Sequence, residues 1–367
     1  MPRTLPRRTF LGAAVVALAS IPLIREARSS GLLYINGHAD PTGRHVVSGF
    51  TEHGEERFRI PLPGKAHGFA VNPHGAGNLV CLPTLPGTRA LVVDASSGSA
   101  QGELRCPDGN HFNGHACFSL DGGLIYTTEN RIEGAEGVIG VYDALTLNRS
   151  GELPAYGIGP HDIRLHPNGS DLVVASGGIA THPKTGKHEL NINTMVSALV
   201  YVDRLSGEMK QRLSIPIPRL SIRHLDVAPD GTVLVACQYK GRSSLPPLVG
   251  IQRGAGAIKM LEVPDANLWT LQNYTASIRV AAQNRAVVSC PRGNALTLWD
   301  IRKGQFLRSF SIPDVGGIEC DPLGTTVMAS ANTGELYSLD LADEQIHKVT
   351  HTWRDAKWTN HMTRLQI

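Results

Sequence analysis

Histidine recurs at one place in a repeated phrase of this chain. His161 stands near the front of "GPHDIRLHPNG" (159–169), His67 of "AHGFAVNPHG" (66–75), His115 of "GHACFSLDG" (114–122) and His224 of "RHLDVAPDG" (223–231). His361 opens the related C-terminal "HMTRLQI". Each precedes or begins a short alternating apolar run, and in the first four the run leads into a turn glycine. A neutral imidazole offers a nitrogen lone pair near pH 7 and suits iron, copper or zinc. Histidines from several repeats, brought together, would give the ligand number that a local metal motif provides within one segment. His38 and His182, in turns between other strands, extend the possible metal set, and Glu129 and Asp40 could add carboxylate oxygens or orient imidazoles. Asn130, Gln238, Tyr239, Arg292 and Asn332 occupy equivalent turns and would suit a small polar ligand.

Convergence is not automatic. His67 and His161 lie eight residues before their turn glycine, whereas His115 and His224 lie seven before theirs. On strictly regular strands an odd difference sends side chains to opposite faces. A one-residue difference in turn length would bring them back together.

The elements that must position these residues follow from the repeat. Turn glycines at 75, 122 and 169 are 47 residues apart; Gly231 follows after 62 and Gly324 after a further 93, leaving room for a degenerate unit at 277–285. Each unit adds an apolar run such as "NLVCLP" or "VLVACQY", then a run ending in aspartate such as "LVVDASSG" or "TLWDIRKG", then a fourth such as "FLRSFSIP". Alternation with β-branched residues and polar turns reads as strands, with no long helix. Four strands every 40–60 residues predict an all-β, seven-bladed β-propeller of the WD40/YVTN type over residues 31–367. The N-terminus supplies three strands without a first, so the C-terminal strand is expected to join them and close the ring, removing the open edges of a linear array. The innermost strands then begin at the channel mouth, beside the turns that carry His38, Glu129, His182 and Gln238. Two of those turns, 177–194 and 239–248, are expanded, as binding faces of repeat proteins often are. The aspartates Asp94, Asp143, Asp203, Asp300 and Asp340 read as turn residues. Histidines also have a purely architectural use in propellers, hydrogen-bonding Ser, Thr or Asp to knit a blade.

Residues 1–30 read as an export signal. "RRTFLG" resembles a twin-arginine signal, and the apolar stretch from Phe10 to Ile24 is short for a membrane span. That segment holds five arginines and one glutamate, so without it the net charge of +3 falls to about −1. The main argument for a nucleic-acid partner goes with it. The six cysteines (81, 106, 117, 237, 290, 320) include no Cys-x-x-Cys, and those closing apolar runs read as buried thiols. No Gly-x-Ser-x-Gly, His-Glu-x-x-His or phosphate-binding loop is present.

The succession "TTEN", "GVIGVYD", "GIGPHDIRLHPNG", "GGIATHPKTGKHELNINTM", "SIRHLDVAPDG" and "QYKG…PPLVG" behind such a signal resembles a bacterial family of exported propeller proteins classed as domain of unknown function 1513. The resemblance implies a periplasmic propeller associated with imelysin-like and di-haem peroxidase-like proteins, a setting of iron acquisition, and it brings no catalytic residues. A histidine-lined mouth is also similar to the copper-cluster site of nitrous oxide reductase, by analogy of fold alone. The expectation is therefore a monomeric periplasmic binding protein holding a transition metal (Fe, Cu or Zn), a metal complex or a small polar ligand at the mouth, with iron-uptake or redox proteins as partners. Two alternatives stand beside it. One is a metal-assisted, lactonase-like hydrolase with Glu129 as base, or an oxidoreductase. The other is a cofactor-free scaffold docking partners through 177–194.

Overall fold

The structure is a computed structural model that describes residues 31–366 apart from 76, 243, 351, 352 and 354. The expected export signal at 1–30 lies outside the described residues. Seven four-stranded antiparallel sheets form a seven-bladed β-propeller, as the repeat predicts. The degenerate unit becomes a full blade, with β20 (Ser277–Ala281) innermost and β21 (Arg285–Cys290) beside it. Among the described residues the helical elements are three short 3₁₀ turns, and no helix is long and apolar enough to cross a membrane.

Ring closure follows the expected path. The C-terminal strand β28 (Lys357–Gln366) pairs antiparallel with β1 (Leu32–Ala39), and β2 (His45–Phe50) and β3 (Glu56–Pro61) complete that blade. Apolar side chains from facing sheets fill the gaps between blades; Val173, Leu199, Leu225, Val235 and Trp299 all belong to one such buried layer. In the closing blade Phe50, Trp353 and Trp358 pack ring on ring, and Trp353 Nε1 donates to Gly54 O at 2.8 Å. This fastening spans both ends of the chain, so the ring closes only when the last strand is in place.

The aspartate runs do turn chemistry. Asp94 accepts from Ser96 N at 2.8 Å, Asp143 from Thr146 N at 2.7 Å, Asp203 from Ser206 N at 2.9 Å, Asp300 from Lys303 N at 2.8 Å and Asp340 from Ala342 N at 2.7 Å. All six cysteines are free thiols, with Cys81, Cys237, Cys290 and Cys320 buried. Burial raises the Cys117 and Cys290 thiols to about 12.

Candidate metal centre at the channel mouth

Five inner strands carry the histidines: β4 (Ala66–Val71), β8 (Asn110–Phe118), β12 (Pro160–Leu165), β16 (Leu220–Val227) and β28. Each is bulged where its histidine sits. On β4, Ala66 and Phe69 are three apart but face Pro83 and Cys81, two apart. Comparable shifts fall between Phe112 and Ala116, between Pro160 and Asp162, between Ile222 and His224, and opposite Asn36 and His38 on the closing strand. β20 pairs without a bulge and carries no histidine. A bulge re-aims side chains and lets consecutive residues face the same way. The spacing problem is therefore solved within the strands.

The result is two tiers. Relative to the hydrogen bond closing the turn after each inner strand, His67, Gly114, His161 and Arg223 occupy one level. Gly68, His115, Asp162 and His224 occupy the next. The glycines make room for a neighbouring blade's imidazole: a Cβ on Gly68 would lie 2.9 Å from His115 Nδ1, and one on Gly114 would lie 2.3 Å from His67 Cδ2. His67, His161, Arg223 and Asn360 face a cavity of about 240 Å³ at the mouth. His115 and His361 lie beneath, outside that lining, and His224 reaches both.

All five rings converge. In nine of the ten pairs, all but His161–His361, centroid separations run from 4.5 Å (His224–His361) to 6.4 Å (His67–His224), and His67 Nε2 lies 3.3 Å from His161 Nε2. Ligand nitrogens of His67, His115 and His361 lie within 4.8 Å of one another, as do those of His115, His161 and His224. Burial first, then neighbouring imidazoles and Arg223, holds His67, His161 and His224 well below the ordinary histidine value; burial and the other imidazoles do the same for His361. These four are neutral near pH 7, the state that binds metal.

Asp162 orients the lower tier. Its Oδ1 lies 3.2 Å from His115 Nδ1 and accepts from Arg164 Nη1 at 2.7 Å; its Oδ2 accepts from Leu225 N at 3.2 Å and lies 3.9 Å from His224 Nδ1. Burial pushes the carboxyl up, but Arg164 and the two imidazoles outweigh it and hold Asp162 far below the usual range. Facing a carboxylate, His115 keeps its proton on Nδ1 and turns its Nε2 lone pair inward. That Nε2 is buried without a hydrogen-bond partner, as are His361 Nε2 and His224 Nδ1. An unpaired buried polar atom costs about 1–3 kcal/mol; His224 Nδ1 has the Asp162 carboxylate before it, so it is the two Nε2 atoms that point to a ligand.

Other expected site residues lie elsewhere. His38 Nε2 meets Ser48 Oγ at 3.0 Å and its ring packs against Trp353 and Trp358, on the far side of the bulge from the cluster. His182 Nδ1 accepts from Lys184 N and caps the 3₁₀ turn Pro183–Thr185. Asp40 is tied to Thr42 and Arg44 in its own turn. Glu129 is fully buried and saturated, accepting from Arg149 Nη1 at 2.7 and 2.8 Å and from Thr127, Tyr142 and Asn110. It knits its blade and has no lone pair to spare as a base. Asn130 and Gln238 do line the cavity; Tyr239 packs against a blade core, Arg292 lies over the Tyr274 ring at 4.3 Å, and Asn332 is exposed outside the lining. The expanded 177–194 loop contributes Ile179, Thr181, Lys187 and Glu189 to the wall. Sequence reasoning missed Asp162 as an orienting group and Arg223 as a wall residue. Aligning the residue pairs His67-Gly68, Gly114-His115, His161-Asp162 and Arg223-His224 across blades would have found both.

A family model described as "Protein of unknown function (DUF1513)" matches residues 60–365. Among solved structures, hydrazine synthase of Kuenenia stuttgartiensis is similar, with a TM-score of 0.61 and 14% identity over 86% of this chain and 94% of that one. At that identity the likeness speaks for the propeller fold alone. No curated protein matches the chain in sequence.

Proposed function

The chain belongs to the DUF1513 family, and from that premise we propose that it is a propeller that binds a first-row transition metal ion among the inner-strand histidines. One observation carries the reading. His115, its tautomer set by Asp162, presents a buried and unpartnered Nε2 to the centre of a five-imidazole cluster. A carboxylate behind a ligating histidine is the usual means of fixing ring orientation and raising ligand basicity. The all-nitrogen donor set suits iron, copper or zinc and disfavours magnesium or calcium. His115 belongs to both overlapping triads, so the metal is centred on it.

The twin-arginine-like "RRTFLG" supports a periplasmic location, where the protein would take up a metal or pass it to a redox partner. The saturated Glu129 gives no support to a hydrolase that uses it as a base.

The test is metal content. Untagged protein purified from its native periplasm is expected to carry near-stoichiometric iron, copper or zinc by mass spectrometry, lost in the His161→Ala/His224→Ala variant. A folded wild-type protein that arrives metal-free and takes up none of the three on incubation, whether supplied as free ion or as an anionic chelate, would sink the proposal and leave the histidines as blade-knitting residues.

A further inference from the structure

The wall above the histidines carries more cations than it compensates. Lys65, Lys187, Arg223 and Lys240 line the cavity, and Glu189 is the one acidic residue in its lining. Glu189 is already engaged by Lys240 at 2.6 Å. No ion pair joins Lys65, Lys187 or Arg223 to any described acidic residue. Arg223 stands out because its Nε is buried with no hydrogen-bond partner, one bulge position from His224. The side chain as a whole is half-buried at the cavity wall, and a partly desolvated cation without a carboxylate is stabilised by a ligand that supplies the missing charge. Planar guanidinium donors match carboxylates bidentately. Neutral hydrogen-bonding groups, Asn113, Gln238 and Asn360, complete the lining. The cavity of about 240 Å³ has room for several waters or for a small di- or tricarboxylate.

We propose that this cavity is an oxyanion site, with Arg223 and Lys187 as its recognition groups, and that the protein takes its metal as an anionic polycarboxylate chelate. The chelate part rests on the metal reading of the imidazoles beneath; the anion part does not. The anion binds between the cations and the upper-tier nitrogens of His67 and His161. The metal it carries then reaches the imidazoles from the cavity side.

The experiment titrates citrate, inorganic phosphate and the copper(II)–citrate complex into full-length mature protein stripped of metal, followed by calorimetry and by the copper visible spectrum. Citrate is expected to bind wild type and to weaken at least tenfold in Arg223→Gln and in Lys187→Gln. The lysine variant serves if the arginine variant does not fold. Copper(II)–citrate is expected to bind at least tenfold tighter than citrate, an advantage lost in His115→Ala/His361→Ala, whose side chains lie outside the cavity lining, while citrate binding stays. Citrate affinity equal in wild type and both cation variants, or no binding at all, would overturn the anion site. Phosphate matching citrate, with no gain from copper, would overturn the chelate and leave a free-anion site. Citrate binding retained in a protein that takes up no metal would separate the two readings and overturn the metal one alone.

Discussion

Asp162→Asn is the sharpest perturbation of the centre, because every group around this side chain is a donor. Oδ1 accepts from Ile163 N at 2.9 Å and Arg164 Nη1 at 2.7 Å and faces His115 Nδ1; Oδ2 accepts from Leu225 N and faces His224 Nδ1. The side chain is only 2% exposed, so water cannot repair a mismatch. An asparagine in either orientation turns an amide donor toward another donor. It also leaves Arg164 without its closest carboxylate. Breaking a buried ion pair costs about 3–5 kcal/mol, and that is the expected loss of stability in a denaturant titration of the metal-free protein. The functional effect is separate. Removing the carboxylate behind a ligating histidine weakens metal binding by about 10–100-fold, or about 1.4–2.8 kcal/mol.

A competition titration against a chromophoric chelator reads that second number, and a double-mutant cycle assigns it. If Asp162 acts through His115, the affinity of His115→Ala will barely change when Asp162→Asn is added, since the oriented ligand has already gone. Independent, additive losses would refute the orienting role. So would a destabilised Asp162→Asn protein that binds metal within twofold of wild type.

Two further outcomes are expected. Glu129→Gln should cost about 3–5 kcal/mol, because Arg149 loses its buried carboxylate, yet leave metal stoichiometry at the wild-type value; loss of metal from a folded variant would return Glu129 to the site. The metal-free protein should lose stability as pH falls below the unfolded histidine pKa of about 6.5, because the unfolded chain takes up protons that His67, His161, His224 and His361 refuse in the fold. Four such groups can amount to at most about 5 kcal/mol between pH 7 and 5.5, all of it present above that range, and a urea midpoint constant across it would contradict neutral, buried imidazoles.

Much of this architecture was legible in the sequence because it is local. Alternating runs, turn glycines and turn aspartates each declare themselves within a few residues, and seven blades with a C-terminal closing strand followed from their order. The five inner-strand histidines were legible as a set for the same reason. Their arrangement was not, because it is made by bulges. One extra residue at Gly68 or Arg223 changes where every neighbour points, and nothing in a single strand's composition reports it. His38 was expected in a turn at the mouth, yet it lies near the end of the second strand β1, where its ring packs against Trp353 and Trp358. Glu129 looked available because Arg149, which saturates it, lies 20 residues away on another strand of the same blade. Gly68 and Gly114 carry no signal of their role within a single strand, although each clears space for an imidazole from the adjacent blade. What the chain could not show was contact between blades, and the site is made entirely of such contacts.

The charges along the channel tie the two proposals together. On the side away from the mouth, Arg164, Asp226, Arg279, Glu319 and Arg364 alternate in sign and compensate one another, with Arg279 3.0 Å from Glu319 and Arg364 3.7 Å from it. The histidine tiers hold four neutral rings beside His115 and one carboxylate, Asp162, already shared with Arg164. The mouth holds three cations with no acid to match. A metal dication seated on the imidazoles would add positive charge directly beneath Arg223 and Lys187, and in a partly dry cavity that repulsion opposes metal binding. An anion between them removes the conflict, pairing with the cations above and completing the coordination of the metal below. The cationic wall therefore makes a bare aquated metal ion a poor ligand for this site and an anionic complex a good one. Neutralising the wall should consequently separate the two: Arg223→Gln would bind free copper(II) more tightly than wild type while binding its citrate complex more weakly. Weakening of both together would mean that Arg223 merely supports the strand.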